Sequence, residues 1–438
     1  MKDAGAAVEM GSAPESTGRA RLGQVRWTIC AMLFAATSIN YMDRQVIAIL
    51  EPTLQKAIGL TQVDYGYIVA GFQAAYAIGV VAAGWLIDRL GTRLGYCLFM
   101  GIWALSAMAH SLANNALEFG IARFSLGLGE SGNFPAAIKT VAEWFPQKER
   151  SLATGIFNSG AAVGAVLAPV LVPWVALHYS WRVAFLVTGV FSLLWIVWWF
   201  RYYRKPAQFP RLTTAELEYI QQDATPSEAT APKIPWPRLW SYRQTWAFAL
   251  GKFMTDPIWW FFLFWLPSYF SSRFHLTLAH LGLPLVVVYT ASTVGSIGGG
   301  WLPVPFRKLG MSNAQARIGA MLVCACCVVP IYMAGHLHSE TTAIALISLA
   351  AAAHQGWSAN LFTTSSDMFP KSAVGSVVGI GTLAGSVGGI LLATSAGWII
   401  QITHSYASLF ALASSAYLVA LLIITLLAPG LQKVELPA

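Results

Sequence analysis

An all-α membrane protein of twelve transmembrane helices, arranged as two pseudo-symmetric six-helix bundles, is predicted from three observations. Of the 438 residues, 56% are hydrophobic and only 11% charged, with 18 Trp and 23 Phe, a balance found in polytopic helical membrane proteins rather than soluble domains. Apolar stretches of about 20 residues, the length that crosses a ~30 Å hydrocarbon core, recur along the whole chain. One polar, proline-bearing segment divides them into two sets of six. Helices rather than a barrel follow because the runs are long and do not alternate, and in lipid every backbone amide must be satisfied within its own segment.

The spans are placed at 26–50, 66–87, 94–113, 116–140, 151–177, 181–202, 243–270, 281–303, 313–334, 341–365, 372–400 and 405–430. Residues 1–25 are polar, without an apolar core or a small-residue cleavage site, and read as a disordered tail rather than a signal peptide. The first span then serves as an uncleaved insertion signal. Spans one to six form a bundle over 26–202 and spans seven to twelve a second over 243–430, with a short tail at 431–438. The segment 203–242, carrying Pro206, Pro210, Pro226, Pro232, Pro235 and Pro237, is the linker between them.

The net charge of +8 reads as a topology signal rather than a nucleic-acid footprint. With the N-terminus inside, only Lys56, Arg182 and Arg273 fall outside, and Arg44, Arg123, Lys139 and Lys252 fall within spans; every other Lys and Arg lies on the inner side. That asymmetry places both termini in the cytoplasm and the chain in the plasma (cell inner) membrane, with the lipid bilayer as its surroundings and no nucleic-acid partner. Cys30, Cys97, Cys324, Cys326 and Cys327 all lie in apolar spans, where they read as packing residues, and no metal site is expected.

The halves are duplicates. Phe145-Pro146, Gly155-Ile156 and Gly164 recur as Phe369-Pro370, Gly379-Ile380 and Gly388, in the fifth and eleventh spans. Gly84-Trp85-Leu86 recurs as Gly300-Trp301-Leu302, each ending an even-numbered span before a basic loop. Many secondary transporters are built from parallel repeats of this kind, with the substrate site between the halves near mid-membrane.

The first span holds Asn40-Tyr41-Met42-Asp43-Arg44, an acid beside a base where each is expensive, roughly 2.5 to 3.5 kcal/mol at a helix centre. The fourth holds Arg123 and Glu130, seven residues and thus two turns apart on one face, with Gly127, Gly129 and Gly132 allowing close approach. Buried salt bridges that merely join the two helices are one reading. The favoured one is an anion site with a proton relay: Arg44 grips a carboxylate bidentately, and Asp43 and Glu130 take up protons. A buried carboxyl resists ionisation unless a cation stands beside it, so an anion arriving at Arg44 would drive a neighbouring acid to protonate.

Aromatic and amide side chains suggest a polyhydroxylated ligand: Gln73 and Tyr76 of the second span, Asn158 of the fifth, Trp259 and Trp260 of the seventh, and His354, Gln355, Trp357 and Asn360 of the tenth. Lys252 and Asp256, at i and i+4 in the seventh, read as a neutralising structural pair. No hydrolytic triad, zinc site or phosphate-binding glycine loop is present, so neither enzymatic activity nor a cofactor is expected, and the energy source is a proton gradient.

The loop after the second span, Gly84-Trp85-Leu86-Ile87-Asp88-Arg89-Leu90-Gly91-Thr92-Arg93, matches at each fixed position the G-x-L-x-D-R-x-G-x-R signature of the major facilitator superfamily. Its logic is a conformational latch: Asp88 at a neighbouring helix N-terminus, Arg89 and Arg93 on carboxylates across the half-domain. The counterpart at Gly300 to Gly310 keeps Arg307 and Lys308 but has Pro303, Val304 and Pro305 where an acid belongs. Within the superfamily, Asn40 to Arg44, Arg123 to Pro135, Lys252 to Trp260 and His354 to Phe362 resemble the anion:cation symporters, in particular bacterial hexuronate transporters.

The resemblance covers residues 26–430 and implies the major facilitator fold. It also implies that Arg44 binds the sugar-acid carboxylate, that Asp43 and Glu130 couple protons with Arg123 as charge partner of Glu130, and that Tyr41 and Tyr76 line the pocket. Some relatives carry a Gln in the fifth helix where this chain has Asn158-Ser159-Gly160-Ala161. The implied activity is proton-coupled import of glucuronate or galacturonate by a monomer; an aldonate such as galactonate, an uncoupled exchanger or facilitator, and a non-transporting sugar-acid sensor are the alternatives.

Overall fold

The computed structural model describes residues 25–210, 212–222 and 236–434. The expected N-terminal tail and the central part of the linker lie outside the described residues. The first half contains α1 (Val25–Ile58), α2 (Gln62–Leu90), α3 (Thr92–Ala109), α4 (Ala116–Glu130), α5 (Asn133–Trp144), α6 (Gln147–His178) and α7 (Trp181–Tyr202). Two short helices, α8 (Thr214–Gln221) and α9 (Trp236–Leu239), belong to the linker. The second half contains α10 (Arg243–Phe274), α11 (Gly282–Trp301), α12 (Pro303–Lys308), α13 (Asn313–Val328), α14 (Glu340–Met368), α15 (Lys371–Thr403) and α16 (Ala407–Leu427).

Among the described residues eight long helical segments are apolar enough to cross a membrane, and they match spans two, three, five, six, eight, nine, eleven and twelve. The remaining four, α1, the α4–α5 pair, α10 and α14, carry Arg44, Arg123 with Glu130, Lys252 with Asp256, and His354 with Asn360. The polarity that sets these four apart is the polarity of the centre of the molecule, where protein rather than lipid surrounds each charge.

The fourth span differs from its expected form. It breaks at Ser131-Gly132 into α4 and α5, and the second piece runs on to Trp144. Pro135, near the start of α5, has no amide hydrogen to donate back to Ser131. Gly129 and Gly132 there lie against Trp103 and Phe99 of α3, where any Cβ would collide. Lys139 consequently sits on α5, partly exposed, rather than inside a continuous span.

Both repeats seen in the sequence are structural. Pro146 caps α6 with φ −63 and ψ 155, and Pro370 caps α15 with φ −64 and ψ 153; Phe145 and Phe369 each close the preceding helix by donating their amide four residues back. Gly91 (φ +80) and Gly310 (φ +82) turn the chain after α2 and α12 in a region that L residues avoid. The notch glycines of α6 admit α1: a methyl group on Gly160 or Gly164 would overlap the carbonyl oxygens of Phe34 and Ser38. Gly164→Leu is therefore expected to lower stability by about 1–3 kcal/mol. A fall in the detergent melting temperature checks this, with Gly101→Leu, which faces open space, as the unaffected control.

At the end away from the chain termini the halves meet closely. Gly66 and Gly397 face each other, and a methyl on Gly282 would lie 2.6 Å from the Pro169 carbonyl oxygen. The Gln62 amide donates to Gln401 (3.1 Å), its side chain donates to Glu51 (2.9 Å) and Ser268 (3.3 Å), and Tyr65 donates to the Phe264 carbonyl (2.7 Å). Toward the termini Gly84, Gly155, Gly298, Gly300 and Gly375 all face open space. The molecule is sealed at one end and parted at the other.

Candidate functional site

Arg44 leaves α1 at the interface of the halves, 3% exposed, and its Nε donates to Oε2 of the fully buried Glu130 at 2.6 Å. Four rings surround the guanidinium carbon: Tyr76 at 4.8 Å, Tyr41 at 5.0 Å, and Phe72 and Trp260 each at 5.6 Å. Quadrupoles of these faces hold a cation without neutralising it. Nη2 of Arg44 and Oε1 of Glu130 make no hydrogen bond with protein atoms. The arrangement is a pinned guanidinium with donor capacity to spare.

Why Glu130 pairs with Arg44 and not with Arg123 follows from helix direction. Side chains tilt toward their own helix N-terminus, so on α4 both Arg123 and Glu130 lean the same way and stay two turns apart, while Arg44 on the antiparallel α1 leans toward Glu130. The expectation that Arg123 is the charge partner of Glu130 is thereby corrected. Arg123, fully buried, donates Nη2 to the Arg44 carbonyl at 2.7 Å and Nη1 to the Asp43 carbonyl at 3.4 Å, and its guanidinium lies 4.6 Å from the Phe72 ring. It fastens α4 to the backbone beneath the site.

Asp43, one residue earlier, is rotated about 100° around α1 from Arg44 and turns into the first bundle. Its Oδ2 accepts from Trp103 Nε1 on α3 and from Ser192 Oγ on α7 (3.4 Å). It is 2% exposed, and among the described residues no cation is hydrogen-bonded to its carboxylate. The adjacent acid and base of the sequence are thus two separate groups, one facing the partner half and one facing its own bundle.

A cavity of about 410 Å³ lies between the halves beside this charge centre, lined by Tyr41 of α1, Asn158 of α6, Trp259 of α10, Ser292 and Ser296 of α11, and Gln355 of α14. Ser292 and Thr293 donate to the Tyr289 carbonyl and Ser159 to the Ile156 carbonyl, which leaves their oxygens free to accept from a ligand hydroxyl. Tyr41, Asn158, Trp259 and Gln355 are therefore brought around one space, which Tyr41 joins to the Arg44 guanidinium, while Tyr76 stands beside that guanidinium and does not line the cavity. Gln73 of α2 is buried at the α2–α15 contact against Gly389, beside Trp260, with neither amide atom hydrogen-bonded to protein.

Trp357 and Asn360 are corrections: neither reaches the cavity. They lie on the α14 face away from Gln355. Trp357 packs edge-on against Tyr417 at 5.4 Å, and Asn360 donates to the carbonyls of Gly299 (2.7 Å) and Gly356 (2.9 Å), tying α14 to α11. His354 shares a 2.6 Å hydrogen bond with Tyr417 and stacks on Trp259 at 5.2 Å, holding that ring at the cavity wall.

The latch also differs. Asp88 accepts from Lys139 of α5 at 2.7 Å, Arg93 donates to the Phe200 carbonyl and covers its ring at 4.3 Å, and Arg89 lies 5.5 Å from the Trp85 ring. These contacts stay within the first half, because the facing helices are parted at this end. Sequence reasoning missed Phe72 and the hydroxyl row of α11; the spacing of Ser292, Thr293 and Ser296 along one helix face carried a signal for the latter.

A buried cation between two repeated six-helix halves, with a polar cavity open at one end, defines a membrane transporter architecture. The profile of the Major Facilitator Superfamily matches residues 33–393, and the chain belongs to that family, as a multi-pass membrane protein. The hexuronate transporter of Escherichia coli (strain K12) is 32% identical over 390 residues, covering 88% of this chain and 90% of that protein. The galacturonate transporter of Dickeya chrysanthemi is 35% identical over 286 residues, covering 65% and 83%. The crystal structure of the D-xylose-proton symporter superposes with a TM-score of 0.74 at 15% identity, covering 94% of this chain and 99% of that one. The twelve-helix, two-bundle fold expected from the sequence is the fold observed.

Proposed function

We propose that this protein imports a hexuronate, glucuronate or galacturonate, together with one or more protons by alternating access across the cell inner membrane, as a monomer with cytoplasmic termini and no cofactor. The observation that carries the reading is the Arg44 guanidinium, buried among Tyr41, Phe72, Tyr76 and Trp260 with Nη2 lacking any hydrogen-bond partner in the protein. The names of the two relatives point to the same substrate class.

The acid binds by its carboxylate at Arg44, where a planar fork matches a planar anion. Sugar faces lie against Trp259 and Tyr41, and hydroxyls reach Asn158, Gln355 and the α11 serines. Deprotonated Glu130 and the substrate compete for one cation, so protonating Glu130 frees Arg44 for the sugar acid; that linkage is the coupling, and it is reciprocal. The sealed and parted ends are one half of the cycle, and rocking of the repeats about the centre supplies the other.

Uptake of labelled glucuronate into proteoliposomes under an inward proton gradient tests this, with unlabelled galacturonate, galactonate and a neutral hexose as competitors. Accumulation above equilibrium that only the uronates block is the expected result. Flux without accumulation removes the coupling, and competition by galactonate alone removes the hexuronate assignment.

A further inference from the structure

The charged pair of α10 lies one helical turn before Trp259 of the cavity wall and Trp260 beside Arg44. Lys252 Nζ donates to Asp256 Oδ2 at 2.7 Å and lies 4.1 Å from the Phe362 ring, so its ammonium is committed; its side chain is 6% exposed, that of Asp256 20%. Along α15, Gly381, Gly385 and Gly389 form one bare face, lying against Lys252, Asp256 and the Gln73–Trp260 contact in turn. Asp256 is four residues before Trp260 on α10, about 6 Å along the helix, and Trp260 stands beside the Arg44 guanidinium.

We infer that Asp256, held in place by Lys252, receives the hydroxyl end of the substrate whose carboxylate is at Arg44, and bars ligands that carry a second carboxylate there. This rests on the sugar-acid reading above and narrows it to acids with one carboxylate, excluding aldaric diacids. A carboxylate accepts two hydrogen bonds from neighbouring hydroxyls, as sugars offer them. To a second carboxylate it offers no donor, and the one nearby ammonium is already engaged by Asp256 itself, so that carboxylate would be left unpaired. Discrimination of this kind comes from the repulsive element as much as the attractive one.

Galacturonate and galactarate differ only at the first carbon, aldehyde or hemiacetal in one and carboxylate in the other. Displacement of labelled galacturonate from the purified full-length protein is measured with both. In the unsubstituted protein galactarate is expected to displace at least about tenfold less well. In Asp256→Asn the gap closes, galactarate gaining and galacturonate losing; in Lys252→Met, which leaves the acid unpaired, it widens.

Equal displacement by the two acids in the unsubstituted protein overturns the inference, as does a gap that Asp256→Asn leaves unchanged. If both substitutions weaken the two ligands by one common factor, the pair is a structural strut and the inference fails. If no version binds galacturonate although each elutes as a single folded species, the sugar-acid reading itself falls, and this inference with it.

Discussion

Arg44→Ala is expected to abolish sugar-acid binding. Truncating one partner of a buried charge pair costs about 2–5 kcal/mol, a loss in affinity of at least ~30-fold. The substitution also strands Glu130, which is fully buried with Arg44 as its only ion-pair partner among the described residues. Reduced thermal stability therefore accompanies the loss, and two further variants separate the effects. Arg44→Ala with Glu130→Gln removes the stranded charge and is expected to recover melting temperature without recovering binding. Arg44→Lys keeps the charge but not the planar fork, and is expected to fold and to bind weakly. Titration of the four detergent-purified proteins with glucuronate checks all of this; binding by the alanine variant within threefold of the parent would remove Arg44 from the site.

The second large effect separates the two acids. Because ionised Glu130 competes with the substrate for Arg44, affinity for the sugar acid is expected to rise as pH falls, by at most about tenfold per unit for a single linked proton. Glu130→Gln cannot ionise, so its affinity is expected to stay flat across pH and to match the low-pH affinity of the parent. Concentrative uptake disappears while exchange of internal for external substrate continues. Asp43 does not touch Arg44; it is held by Trp103 and Ser192 inside the first bundle. Asp43→Asn is thus expected to lose accumulation while keeping the affinity and its pH dependence. Binding measured at several pH values, paired with uptake and exchange in proteoliposomes, distinguishes these outcomes. A Glu130→Gln protein whose affinity still climbs at low pH would place the linked proton elsewhere.

The same device explains why the buried charges of the site sit on α1, α4 and α10. A cation at mid-membrane must be shielded from lipid, and these helices stand inside the two bundles with eight more apolar segments available to surround them. Within that shield Arg44 keeps its charge by one ion pair and four aromatic faces. Arg123 reinforces it by holding the α1 carbonyls at Asp43 and Arg44, so the polar centre is a connected structure rather than a set of isolated charges.

Sequence alone determined the helix count, the repeat and the membrane class, because hydrophobic length, the recurrence of Phe-Pro and Gly-Trp-Leu, and the scarcity of charge are local properties that burial in lipid makes obligatory. It also singled out Arg44, Glu130, Tyr41, Tyr76, Asn158, Trp259 and Gln355, since a polar or aromatic group in an apolar run stands out without any knowledge of its neighbours. Which of these groups meet was decided only by the tertiary structure. Adjacent Asp43 and Arg44 part because helix neighbours diverge by about 100°. Arg123 and Glu130 do not pair because both lean along one helix, and Trp357 and Asn360 leave the cavity because α14 turns Gln355 toward it instead. The break at Ser131-Gly132 and the turning of Asp256 toward α15 likewise depend on where α3 and α15 press close, and the approach of one helix to another is a distance that no single helix's sequence contains.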